Sequence, residues 1–165
     1  YSQFKPEFNQ DSLRDFLKGH NIAYVFLGDY CGARVEDPSC YLNGKVDYEL
    51  VANSQKFKEG LKRIQKGMEK FCIVLMCAEK DPITCHRTIL VCRNMLNSGV
   101  EISHILGDSK TEKHRDSENR LMKLFKLDLP DLFRSEEQRL DEAYLLQGKK
   151  IAHEIAEPTN EHWGQ

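Results

Sequence analysis

The sequence predicts an α/β fold, a three-layer sandwich in which helices flank a small, mostly parallel central sheet. Two observations carry that expectation. The apolar runs Ile22–Gly28 (IAYVFLG) and Phe71–Glu79 (FCIVLMCAE) are nearly continuous, as suits strands covered on both faces. Helical periodicities lie before, between and after them, the alternation of a parallel sheet with crossover helices.

Each element follows from its own signals. Asn9–Asn21 (NQDSLRDFLKGHN) predicts a short helix, with Asp11 or Ser12 as cap, Leu13, Phe16 and Leu17 as apolar face, and Gly19 near its end. The first strand, Ile22–Gly28, is β-branched and aromatic. Residues 28–49 are rich in Gly, Asp, Asn and Pro and predict a long loop, a length that in compact domains is often functional. A helix is expected from Tyr48 to Lys66, with Leu50, Phe57, Leu61 and Ile64 as its stripe. The second strand, Phe71–Glu79, follows. Pro82–Gly99 predicts a helix stopped by glycine, and Val100–Leu106 (VEISHIL) a third, shorter strand. Asp116–Leu127 predicts a helix, and Pro130 breaks the chain. Ser135 and Gln138 then have the spacing of a capping box. It opens a long helix whose face is Leu140, Tyr144, Gln147, Ile151 and Ile155. No repeat, low-complexity tract or composition shift divides the chain, so residues 1–165 are expected to form a single α/β domain.

Composition narrows the function classes. Of 165 residues, 40% are hydrophobic and 30% charged, enough for a packed core, and the net charge is −2. A dedicated nucleic-acid binder usually carries a basic excess. The basic stretch KFKEGLKRIQKGMEK therefore reads first as a solvated helix face, with nucleic acid the weaker reading. The longest apolar run, CIVLMCA, is far short of the about 20 residues that span a bilayer, so no membrane partner is expected. The first ten residues carry neither a signal-peptide nor a transit-peptide pattern. Six cysteines (Cys31, Cys40, Cys72, Cys77, Cys85, Cys92) in a chain able to build a core without staples point to reduced thiols and a cytoplasmic setting.

The chemistry concentrates in residues 77–87, CAEKDPITCHR, where the second strand hands over to a helix. In open α/β sheets ligands bind at that end of the strands. Asp81–Pro82 is a helix-start pair, with Thr84 as a later alternative. Cys85, His86 and Arg87 then fall near the first turn, where unpaired N–H groups favour an anion and lower a cysteine's pKa. Against this, Ile89, Cys92 and Leu96 lie within about 40° of Cys85 on a helical wheel, so Cys85 also reads as the first member of a core stripe. Cys77 and Glu79 share the alternating face of Ile73 and Leu75. Glu79 is either a salt-bridge partner for Lys80 or Arg87, or a working acid/base. His86 is a proton carrier or a structural hydrogen-bonder. Arg87 binds an anionic ligand or ties the preceding loop. There is no CxxC pair, and the spacing C-x7-C-H is not a recognised zinc arrangement, so no metal is expected. No G-x-S-x-G, Walker loop or G-x-G-x-x-G occurs.

The string CxExxPxxCHR, together with FLGDYCGAR, PEFNQDSLRDFLKGHNIAYVFLGD and LDEAYLLQGKKIAHEI, resembles the domain-of-unknown-function 488 family over nearly the whole chain. The resemblance implies an α/β fold and a pocket near the CHR turn, and it implies no established reaction. It places Gly32 and Arg34 in the family's glycine–arginine loop, from which Arg34 would reach the CHR turn. The plainer reading of Arg34 is a surface ion pair with Glu36 or Asp37. Family members begin with a strand, a helix and a second strand, and Tyr1 corresponds to the position just after them, so the chain is expected to lack that βαβ segment.

These readings give three expectations. The first is an enzyme acting on an anionic or nucleotide-like small molecule. Cys77, Glu79, Cys85 and His86 would be its catalytic groups, and Gly32, Arg34 and Arg87 its ligand-binding groups. The second is a non-catalytic anion- or nucleotide-binding module. The third is a cluster that serves as a structural lock. The sequence specifies no cofactor and no oligomeric state.

Overall fold

The computed structural model describes residues 5–155; Tyr1, on which the expected βαβ loss turns, lies outside them. The predicted sheet is the main point of correction. Helix makes up 54% of the structure, and the strands form two small antiparallel pairs rather than a mostly parallel central sheet in a sandwich. Residues 22–27 and 72–77 do run outside any helix. They meet no partner strand among the described residues. The backbone N–H of Ile22 and that of Phe71 bond back into the preceding helical turns, at Leu17 and Gly67, and no ladder follows. The two apolar runs, expected as strands, form none: a sheet also needs a neighbour, and local sequence does not encode one. Alternation survives in the burial. Ile73, Leu75 and Cys77 turn inward, while Val74 and Met76 between them are 70% and 58% exposed.

Helix α1 (Gln10–Gly19) starts from Asn9, two or three residues earlier than the polar residues expected to cap it, with no side-chain cap bond. It buries Leu13, while Phe16 faces solvent. A short α2 (Gly28–Cys31) opens the expected loop. The loop then folds a hairpin of β1 (Tyr41–Leu42) and β2 (Lys45–Val46). Its turn is Asn43–Gly44, both at positive φ, the pair a two-residue hairpin demands. The helix expected over 48–66 is two: α3 (Tyr48–Asn53), capped by Asp47, and α4 (Gln55–Met68), capped by Ser54. Ser54 accepts from the Phe57 N–H and so serves as the break between them.

After the second extended run, Asp81 does cap a helical turn, Pro82–Thr84, but that turn is 3₁₀. The following helix is a π-helical segment, Arg87–Cys92, continued by α5 (Arg93–Leu96) and ended near Gly99 at φ 70°. The third predicted strand is shorter, β3 (Ser103–Ile105), and pairs antiparallel with β4 (Thr111–Lys113). Two long helices complete the fold: α6 (His114–Leu124) and α7 (Glu136–Ile151). The capping box on α7 is formed, Ser135 accepting from the Gln138 N–H and Gln138 accepting from the Ser135 N–H. One hydrophobic core joins these helices through Val51, Phe57, Ile64, Ile89, Leu90, Leu121 and Tyr144.

No helix among the described residues is long and apolar enough to cross a membrane.

Candidate functional site

The second extended run carries Cys77 to the rim of the core and Glu79 two residues beyond, on the same face. The 3₁₀ turn then reverses the chain and brings Cys85 and His86 back against them. Two contacts from distant helices hold this turn. Arg120 on α6 grips the Asp81 carboxylate through two hydrogen bonds of 2.8 and 2.6 Å, and its other nitrogen holds Glu112. Buried Gln147 on α7 donates to the Ile83 carbonyl at 2.6 Å. The turn is thus locked by residues that local sequence did not offer, 39 and 64 positions away.

Within it, four donor atoms gather. The Cys77 thiol donates to Glu79 Oε2 at 2.7 Å, and its sulfur lies 3.5 Å from His86 Nδ1. The Cys85 thiol reaches the same Glu79 oxygen at 3.5 Å. One ligand atom from each of Cys77, Glu79, Cys85 and His86 lies within 4.8 Å of the others. Access is graded: Cys85 is fully buried, Cys77 and His86 are half-buried, and Glu79 is exposed. The cluster therefore has a sealed floor and an open mouth.

The two sulfurs differ electrostatically. Donation from the Cys85 thiol pulls the Cys77 pKa well below the ordinary thiol range, with His86 and Glu79 adding to it against the opposing effect of burial. Cys85 is pushed up by the same sharing and by its burial. Burial raises Cys31 and, against the opposing charge of Arg87, Cys92 to about 11, which leaves them as inert core thiols.

Arg87 sits beside the cluster in two ways. Its backbone N–H donates to Cys85 Sγ at 3.4 Å, and its guanidinium donates to the Leu75 carbonyl at 3.2 Å. The second bond ties the preceding extended run, as one reading of Arg87 expected, and leaves further N–H groups of the fork. Glu79 forms no ion pair with Lys80 or Arg87 among the described residues; its partners are the two thiols. Gly32 and Arg34 share no hydrogen bond or ion pair with the cluster among the described residues. Gly32 ends α2, its N–H on the Gly28 carbonyl, where an added Cβ would sit 2.4 Å from that oxygen. Arg34 is exposed, and the ion pair expected for it belongs to others, Glu36 pairing with Lys56 at 3.3 Å.

Sequence reasoning missed Tyr48. Its phenol oxygen is buried with no hydrogen-bond partner among the described residues. Burial raises its pKa first, and electrostatic interaction with Cys85, Glu79 and Cys77 adds to the rise. No local pattern marked it, because it lies on the first turn of a helix 29 residues before Cys77.

Also missed was a buried polar chain. His104 Nε2 lies 2.9 Å from His114 Nδ1, His114 Nε2 lies 2.9 Å from the Tyr144 hydroxyl, and that hydroxyl donates to Glu118 Oε1 at 3.1 Å. Following donors back from the carboxylate fixes every proton. Tyr144 gives its hydrogen to Glu118, so it accepts from His114 Nε2–H. His114 Nδ1 is then bare and accepts from His104 Nε2–H.

A mostly helical chain with a dithiol, an imidazole and a carboxylate on one reversing turn is the class these observations define. The family described as Domain of unknown function DUF488 matches residues 1–93, more than half the chain and all of the cluster, and the chain belongs to that family. A search of curated proteins and a search of solved structures each found no match.

Proposed function

We propose that the chain is an enzyme that acts on an anionic small molecule through the Cys77 sulfur. One observation carries this reading: a half-buried thiol lies within hydrogen-bonding reach of both a carboxylate and an imidazole, 2.7 and 3.5 Å away, at the open end of the cluster. A nucleophile beside a base, with a third group to orient it, is the arrangement covalent catalysis requires. The Cys77 sulfur bonds to an electrophilic centre as that centre's bond to its leaving group breaks, and the thiol proton passes by way of Glu79 and His86 to the departing group. Buried Cys85 shares hydrogen with the attacking sulfur. The spare N–H groups of Arg87 give an anionic substrate its counter-charge.

Alkylation with iodoacetamide at neutral pH, mapped by peptide mass spectrometry, tests the assignment. Cys77 labels first in the folded protein, and Cys31, Cys85 and Cys92 label only after unfolding. Protection of Cys77 by members of an anion panel would define the substrate class. If Cys77 labels no faster in the folded than in the unfolded chain, the reading fails.

A further inference from the structure

The same four side chains have the composition of a transition-metal ligand set. We propose that Cys77, Glu79, Cys85 and His86 bind one Zn2+, and that bound Zn2+ withdraws Cys77 from nucleophilic attack. The second half of this inference rests on the thiol chemistry proposed above; the first half stands without it.

The distances suit the ion. In tetrahedral zinc with S bonds of about 2.3 Å and N or O bonds of about 2.0–2.1 Å, the edge between a sulfur and a nitrogen or oxygen is about 3.6 Å. The Cys77 sulfur-to-His86 Nδ1 and Cys85 sulfur-to-Glu79 oxygen edges are both 3.5 Å. The edge from Cys77 to Glu79 is shorter, 2.7 Å, and opens by rotation of the exposed carboxylate. All four donor atoms lie within 4.8 Å of one another, about 1 Å beyond the longest edge, between two sulfurs, of such a site. Two thiols and an imidazole select a soft or borderline cation over Mg2+ or Ca2+.

The surroundings carry the further contacts such sites use. The Arg87 backbone N–H already donates to Cys85 Sγ. Entry is through the open face at Glu79. The spacing C-x7-C-H gave no sign of a metal because the ligands are brought together by the Arg120–Asp81 and Gln147–Ile83 contacts, which set the turn, rather than by a short local knuckle.

The test uses Co2+ as a spectroscopic probe and Zn2+ as competitor on the reduced, chelator-treated protein. One equivalent of Co2+ should give a thiolate-to-metal charge-transfer band in the near ultraviolet, removed by one equivalent of Zn2+. Cys77→Ser should weaken Zn2+ binding at least about 100-fold, since even outer-shell changes cost roughly 10–100-fold. Glu79→Gln, at an exposed position, keeps the test open if the cysteine variant fails to fold; it should weaken binding while leaving the melting temperature of the metal-free protein unchanged. No charge-transfer band, or a band that both variants leave intact, overturns the proposal. Iodoacetamide labelling of Cys77 with and without Zn2+ separates the two readings. Labelling that is rapid and indifferent to Zn2+ sinks the zinc site and spares the thiol chemistry. A cobalt band on a protein whose Cys77 never labels upholds the site and sinks the thiol chemistry.

Discussion

Lowering the pH from 7 to 5 should destabilise this protein through the buried pair His104 and His114. Each ring is 4% exposed, and each pKa is lowered from 6.5 to about 4. Burial is the leading cause for both. His104 also faces the charge of His114, of Arg87 and of Arg120, against which Glu112 pulls the other way, while His114 sits 3.7 Å from Glu118. The proton order explains the resistance. A second proton on His114 Nδ1 would point at the N–H of His104 across 2.9 Å, two donors facing each other. Because the folded pKa values lie below the unfolded ones, the unfolded chain binds more protons between pH 6.5 and 4. The stabilisation is complete above pH 6.5 and is lost as pH falls through that window. At pH 5 each ring costs about 2 kcal/mol relative to pH 7, so the pair costs roughly 3–4 kcal/mol. That corresponds to a fall in Tm of roughly 7–15 °C for a chain of this size. Urea unfolding at intervals between pH 7 and 5 measures the slope. The variant His104→Phe/His114→Phe should lose stability overall but show a much flatter slope. A wild type equally stable at pH 7 and pH 5, or a double variant with the same slope, would refute the assignment.

Other outcomes follow from single contacts. Phe57→Ala, at a side chain 1% exposed in the centre of the core, should cost about 3–5 kcal/mol in denaturant unfolding. Gln147→Leu leaves the Ile83 carbonyl without its donor. It should cost about 1–3 kcal/mol and, by loosening the turn, raise the exposure of Cys85 to thiol reagents. Ser135→Ala removes one half of the α7 capping box and should cost about 1 kcal/mol, read as a small drop in Tm.

What was legible in the sequence was local. Ser135 with Gln138 named its cap, Asp81–Pro82 named its turn, and the period-two placement of Cys77 and Glu79 put them on one face. The Asn43–Gly44 hairpin was legible too, since Asn-Gly is a strong two-residue turn signal; the surrounding Gly, Asp and Pro hid it inside a segment read as loop. The sheet was not legible because Ile22–Gly28 and Phe71–Glu79 carry only half of the information a ladder needs. The break at Ser54 interrupts an apolar stripe that runs on from Leu50 to Ile64, so periodicity alone joined two helices into one. The His104–His114–Tyr144–Glu118 chain had no signal at all. Its members span 40 residues and meet only because β3, α6 and α7 pack together.

The π-helical segment Arg87–Cys92 makes the register of the chain itself a structural parameter. It accommodates one residue more than an α-helix would over the same rise. An in-frame deletion of one codon there would let the segment relax to an α-helix over that same rise, with the direction of its two ends kept. Relaxation to an α-helix with no residue removed would instead turn one end by about 100° against the other, and with Met95 and Cys92 anchored in the core the turn would fall on Cys85 and His86. Gene variants one codon shorter at this point would thus keep the cluster assembled.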